Sequence, residues 1–277
     1  MPSSARQALF NRSLKLLVRR FKFRRGRERL IAFAMRRVAG WELERDRWGN
    51  LFLLDLANYI DCRLFLEGSY EAETVHVLRR AAEEQGYTHF VDVGANIGVY
   101  TVTLGSCPFV ERVFAFEPDA QNRAQLMANL LLNGLDRKVE LYGLALSSRE
   151  GEAVLHRSDE PKAFDAGKRN PGTHSLRFNA VRHTATTAVV RTERLDHLLH
   201  LRNEKIIVKI DVEGHELEVL RGMTELLKRN RCFLSVELFG ENLEAATALL
   251  ANLGYALRHR FGEANYIFAK EKSTETA

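Results

Sequence analysis

Hydrophobic spacing changes twice along the chain. In residues 1–40, Phe10, Leu14, Leu17 and Phe21 recur at helical intervals, with Arg12, Lys15, Arg19, Arg20 and Lys22 between them. That pattern predicts a basic amphipathic helical arm. In residues 41–86, Trp41 and Leu43, then Phe52 and Leu54, flank the turn-like Arg47-Trp48-Gly49-Asn50, which predicts a β-hairpin. Ser69 is expected to cap a helix running to about Gln85, with Val75, Leu78 and Ala82 inward and Gly86 as its stop.

From residue 87 to 277 short apolar runs alternate with helical patterns, as in a parallel α/β sheet. The expected strands are His89–Val93, Arg112–Glu117, Val139–Leu146, Ile206–Ile210 and Cys232–Leu238; helices are expected to begin near Gly98, Asp119, Gly214 and Glu241. Tyr255–Arg260 and Ala264–Ala269 read as a closing antiparallel hairpin. The alternation fails between about 150 and 191, where Pro161, Gly167, Pro171 and Gly172 mark a long insertion with room for short strands of its own. Such loops often serve as lids or acceptor sites.

Charge separates the arm from the remainder. The chain of 277 residues carries a formal +5, but residues 1–40 hold twelve Lys/Arg and one acid, Glu28, so they carry +11 and residues 41–277 carry −6. The favoured reading is a helix packed on the catalytic domain with its charges in water. The alternative is docking to an anionic membrane surface, a nucleic acid or an acidic partner. At 45% apolar the chain has material for one sizeable core. The apolar stretch Leu30–Met35 is shorter than the core of a secretion signal, and Cys62, Cys107 and Cys232 show no C-x-x-C spacing. A soluble, cytoplasmic protein is expected, with peripheral membrane contact through the arm as the variant.

Candidate chemistry lies at two strand ends. In Phe90-Val91-Asp92-Val93-Gly94-Ala95-Asn96-Ile97-Gly98-Val99-Tyr100 an apolar strand ends in an acid, and a glycine turn then enters a helix. Such a turn lets backbone approach a nucleotide-like ligand at a helix N-terminus. Asn96 and Val99 stand where the dinucleotide fingerprint needs glycine, which argues against a nicotinamide oxidoreductase. Asn96 tolerates the left-handed backbone of a tight turn. Glu117, before Pro118, is placed to accept from a ribose diol. Asp92 is placed to hold a cationic amino group, or else to cap the next helix. The second cluster is Val208-Lys209-Ile210-Asp211-Val212-Glu213-Gly214-His215-Glu216, whose titratable groups would border the ligand crevice of an open sheet.

These two motifs, with Ala115-Phe116-Glu117-Pro118, resemble the signatures of the FkbM family of S-adenosylmethionine-dependent methyltransferases. Gly68-Ser69-Tyr70-Glu71, Asn129, Asn133 and Leu195-Asp196 agree, and the resemblance covers about residues 65–270. It implies a Rossmann-like class I methyltransferase fold with helices on both faces of a mostly parallel sheet, and O-methylation of sugar or polyketide hydroxyls. By the same resemblance Asp92, Gly94, Asn96 and Gly98 would line the methionine end of S-adenosyl-L-methionine, with Glu117 at the ribose and Ala145 at the adenine.

An alcohol acceptor stays protonated at neutral pH, so a general base is expected: His215 or Asp211, with Glu213 orienting the pair. A divalent metal on Asp211, Glu213 and Glu237 is the alternative way to activate the hydroxyl. Nucleic acid is a disfavoured acceptor, since no Asn/Asp-Pro-Pro-aromatic segment and no aromatic-interleaved basic patch occurs in the core. A module that binds the cofactor without catalysis is the non-enzyme reading.

Overall fold

The computed structural model describes residues 5–21, 25–158, 160–161, 165–181 and 183–270; Lys22 lies outside them. The chain runs α1 (Ala5–Arg20), α2 (Arg27–Met35), β1 (Trp41–Arg45), β2 (Leu51–Asp55), α3 (Tyr59–Glu67), α4 (Ala72–Gln85), β3 (His89–Val93), α5 (Val99–Gly105), β4 (Arg112–Phe116), α6 (Ala120–Leu132) and β5 (Val139–Tyr142). It continues through β6 (Ala145–Leu146), β7 (Gly151–His156), a 3-10 turn at Pro171–Thr173, β8 (Thr187–Glu193), α7 (Leu195–Leu198), β9 (Lys205–Ile210), α8 (Glu216–Gly222), α9 (Thr224–Arg229), β10 (Arg231–Glu237), α10 (Glu241–Asn252), β11 (Tyr255–Phe261) and β12 (Asn265–Lys270).

Seven strands form the central sheet in the order β5-β4-β3-β9-β10-β12-β11. Only β12 opposes its neighbours, pairing antiparallel with both β10 and β11, so the expected closing hairpin docks through its second strand. The apolar runs are nearly continuous because both faces are covered. Phe90, Val113, Ile207 and Phe233 point into one core, while Val91, Phe114, Val208 and Leu234 point into the other. This is the expected Rossmann-like arrangement. Strand order reverses beside β3, which pairs β4 on one edge and β9 on the other, and that reversal opens a crevice at the carboxyl ends of the strands.

The arm differs from its expected stripe. Asn11, Leu14 and Val18 face inward on α1, whereas Phe10 and Leu17 are exposed. Leu14 and Val18, with Ile31 and Met35 of α2, share one core with the sheet residues Phe90 and Val113. The contact is specific as well as apolar: Asn11 Nδ2 donates to the Ala39 carbonyl (2.9 Å), and Lys15 pairs with Glu44 at 2.5 Å. Arg19 donates to the Phe65 and Leu66 carbonyls at the carboxyl end of α3, where orphan carbonyls favour a cation.

Two further expectations are corrected. Ser69 does not cap α4; Glu71 occupies the N-cap position in a left-handed conformation, and the stop at Gly86 holds. The run Val139–Leu146 is not one strand, because β5 ends at Tyr142 and the chain turns at Gly143 to place β6 in a separate sheet, β6-β8-β7. Most of that small sheet is built from the expected insertion. The hairpin β1–β2 forms as expected, and side chains of α6 complete the exposed edge of β2. Asn129 accepts from Leu53 N (2.7 Å), and Asn133 both accepts from and donates to Leu51 backbone (2.9 and 2.7 Å).

Candidate active site

Two cavities meet where β3, β4 and β9 end. The first, of about 540 Å³, is walled by apolar Val93, Phe116, Leu144 and Leu146 and roofed by insertion residues such as Gly172 and His174. Gly94 forms its floor at φ 84, where a Cβ would lie 1.9 Å from the Asp211 carbonyl oxygen, so only glycine fits. Asn96 takes the left-handed conformation expected of it (φ 50), and its N–H donates to Glu117 Oε2 at 2.8 Å.

Glu117 is buried, and its other oxygen accepts from Asp119 N at 2.8 Å. Burial pushes its carboxyl up to about 7, against the lowering effect of those two N–H groups. A carboxylate oxygen has two acceptor sites, so Glu117 keeps capacity for a ligand diol. Ala145 lines the same wall, brought there by the break at Gly143. Gly98 lines neither cavity. It caps α5 at φ 88, and a Cβ there would strike Leu126 at 2.2 Å, so this glycine serves helix packing.

The second cavity, of about 640 Å³, shares Gly94, Asn96, Gly172 and Asp211 with the first. It holds Asp92, Lys209 and the carboxylates of Asp211, Glu213 and Glu237, whose oxygens lie within 4.8 Å of one another. Asp92 accepts from Thr101 Oγ1 at 2.5 Å, in the first turn of α5, and burial pushes it up to about 6. Lys209 is buried with Nζ 3.2 Å from Asp211. Burial alone would lower its pKa, but Asp211, Glu71 and Glu237 raise it, so the ammonium is retained. Burial, then the charge of Asp211, push Glu237 upward, which leaves a proton available to the Asp211–Glu237 pair.

Among the described residues, three of the five non-glycine residues with positive φ, Glu71, Asn96 and Glu213, line this second cavity. Such backbone costs about 1–3 kcal/mol per residue and concentrates at functional sites. The structure divides the expected catalytic trio. His215 lies on the first cavity with Nε2 3.0 Å from Ser147 Oγ, Glu213 lies on the second, and Asp211 borders both. Burial lowers the pKa of His215, which keeps its imidazole neutral and able to accept a proton.

Sequence reasoning left out Glu71, Lys209, Tyr100 and the insertion residues Gly172 and His174. Lys209 and Glu71 were inside quoted motifs, but only the fold shows that they share a cavity. Tyr100 donates to Glu71 Oε2 at 2.5 Å. Gly172 approaches so closely that a Cβ would lie 2.4 Å from Ile60 and 3.0 Å from Asn96 Nδ2. A lone glycine in a loop carries no signal of such an approach.

Comparison with known proteins gives one matching family model and several similar proteins. Residues 92–257 match the model of the methyltransferase FkbM domain. The chain is 32% identical over 160 residues to the hexuronic acid methyltransferase AglP of Haloferax volcanii, covering 57% of this chain and 58% of that protein. It is 30% identical over 159 residues to the methyltransferase sdnD of Sordaria araneosa, covering 49% and 60%. The chain thus spans less than two thirds of the length of these relatives. A crystal structure of methyltransferase FkbM from Methylobacillus flagellatus aligns with a TM-score of 0.46 at 17% identity, covering 76% of this chain and 54% of that one.

Proposed function

The chain belongs to the FkbM methyltransferase family, and from that premise we propose that it transfers a methyl group from S-adenosyl-L-methionine to a hydroxyl of a sugar, glycan or other small molecule. The observation that carries this reading is the shared position of Asp211, which borders both an apolar cavity that Glu117 also lines and a polar cavity rich in carboxylates. The residues fit the cofactor. Gly94 provides a surface that a Cβ would fill, Glu117 provides acceptors for a ribose diol, and the wall at Leu144–Leu146 provides an apolar slot for a base beside Ala145. Asp92, Asn96 and Asp211 would receive the amino-acid end. The hexuronic acid methyltransferase among the relatives supports a sugar acceptor.

When bound, the cofactor supplies a methyl group on a positively charged sulfur, activated for displacement. The protein's share is alignment of the acceptor oxygen, which in favourable cases supplies about 7–11 kcal/mol. Its second share is removal of the hydroxyl proton. Asp211 is the proposed base, and Lys209, 3.2 Å away, holds its carboxylate in place. Neutral His215 is the alternate acceptor of that proton, and Glu213 orders the acid side of the pocket.

Incubation with methyl-labelled cofactor and a glycan panel, followed by identification of the labelled product, tests the reading. Labelled sugar is the expected result; binding of cofactor with no transfer to any acceptor would leave only a binding module. For the residue assignment, Asp211→Ala and His215→Ala proteins that bind cofactor yet both retain full turnover would remove the base from this cluster.

A further inference from the structure

A third cavity opens from the acid pocket away from the apolar one. It is a groove open to solvent. Its walls are α2 through Arg27, α3 through Tyr59 and Arg63, the start of α4, and the β11–β12 turn through Phe261. It meets the acid pocket twice. Tyr70 and Glu71 line both spaces, and Asn265 in the groove accepts from Lys209 Nζ in the pocket at 3.4 Å.

Glu71 marks the junction. Its positive φ of 45 is costly for a glutamate, and in that conformation its carboxylate accepts from Tyr100 OH inside the pocket. The groove wall is fixed by two ion pairs joining α2 to α3, Arg27 with Glu67 at 2.8 Å and Arg63 with Glu28 at 3.0 Å, and by the pair of Arg63 with Glu67 within α3. The lining combines the aromatic residues Tyr59, Tyr70 and Phe261 with guanidinium, carboxylate and amide groups. Ring faces suit the C–H faces of a sugar, and planar donors and acceptors suit vicinal hydroxyls.

We infer that this groove seats an extended sugar chain, whose reacting hydroxyl passes Tyr70 and Glu71 to reach Asp211. The inference rests on the methyl-transfer reading above. It makes α2, outside the matched family region, a wall of the acceptor site. The lining runs from α2 to the β11–β12 turn, well beyond the acid pocket, which favours more than one sugar unit over a single one. A chain seated there places one unit at the acid pocket and its neighbours along α3 and the β11–β12 turn.

The test blocks the groove covalently. The native cysteines are all buried, so a bulky maleimide is directed to an introduced thiol. The Glu73→Cys protein carries the label at the groove; the Asp136→Cys protein carries it in the loop before β5, at the opposite end of the sheet. Both are assayed with methyl-labelled cofactor and the acceptor identified in the glycan panel. At the groove the label is expected to cut transfer at least about tenfold while the cofactor dissociation constant stays within about twofold, and at Asp136 to change neither. An oligosaccharide acceptor is also expected to exceed its single-sugar counterpart at least about tenfold in kcat/KM. Transfer undiminished by the label at Glu73 overturns the groove and leaves the methyl-transfer reading intact. Absence of transfer to any acceptor by the unlabelled protein overturns both.

Discussion

Gly94 and Asp211, on different motifs, meet backbone to backbone: a methyl group in place of the Gly94 hydrogen would lie 1.9 Å from the Asp211 carbonyl oxygen. Asp211 N in turn donates to Val93 O at 3.0 Å. The first turn and the end of β9 are thus one rigid unit. Gly94→Ala combines a strained φ of 84 with a clash against backbone, and is expected to destabilise the protein by about 2–4 kcal/mol. Cofactor affinity should fall with it. Thermal unfolding and calorimetric titration check both, and a wild-type midpoint would show that the two strands are not locked.

Glu117 should make cofactor binding depend on pH. Its carboxyl, held up at about 7 by burial, is partly protonated near neutrality, whereas a ribose diol pairs best with the ionised form. Affinity should therefore rise with pH, by about tenfold between pH 6 and pH 8 if only the ionised form binds. Calorimetry at several pH values measures this. Glu117→Gln should bind weakly at every pH and lose the slope; a slope kept in that variant assigns it to another group.

Exhaustive chelation should leave turnover unchanged. The carboxylates of Asp211, Glu213 and Glu237 are close enough to share a cation, yet Lys209 lies 3.2 Å from Asp211 and Glu237 is pushed toward its protonated form. A dication would have to displace a buried ammonium or a proton, at an electrostatic cost. Activity lost on chelation and restored by magnesium would instead establish a metal on this triad.

The arm is expected to be structural on one face and adhesive on the other. Val18 is fully buried, so Val18→Asp should cost about 3 kcal/mol or more and lower the thermal midpoint by about 6 °C or more. The outer face of α1 leaves Leu9, Phe10, Leu16 and Leu17 exposed beside Arg6 and Arg20. Among the described residues no helix is long and apolar enough to cross a membrane. This face is expected to meet the surface of an anionic bilayer. Co-sedimentation with phosphatidylglycerol vesicles, weakened by salt and lost in a Leu9→Asp/Leu16→Asp double variant, is the expected result. No binding to those vesicles would confine the arm to packing.

The sequence by itself determined the sheet and its turns. Apolar runs such as Val113–Phe116 and Ile206–Val208 need cover on both faces, and Gly94, Asn96 and Glu117 report local backbone and strand-end demands that are written within a few residues. What only the tertiary structure decided depends on distant partners. Phe10 and Leu17 repeat as regularly as Leu14, but the surface presented by α3 and the hairpin selects Asn11, Leu14 and Val18 as the buried face. Gly98 looked like a cofactor glycine until Leu126 was found against it. Glu71 lies far along the chain from Lys209 and Glu237, and their common pocket exists because β9 and β10 end beside α4. Local spacing encodes conformation, whereas a pocket is set by which chain ends the packed sheet brings together.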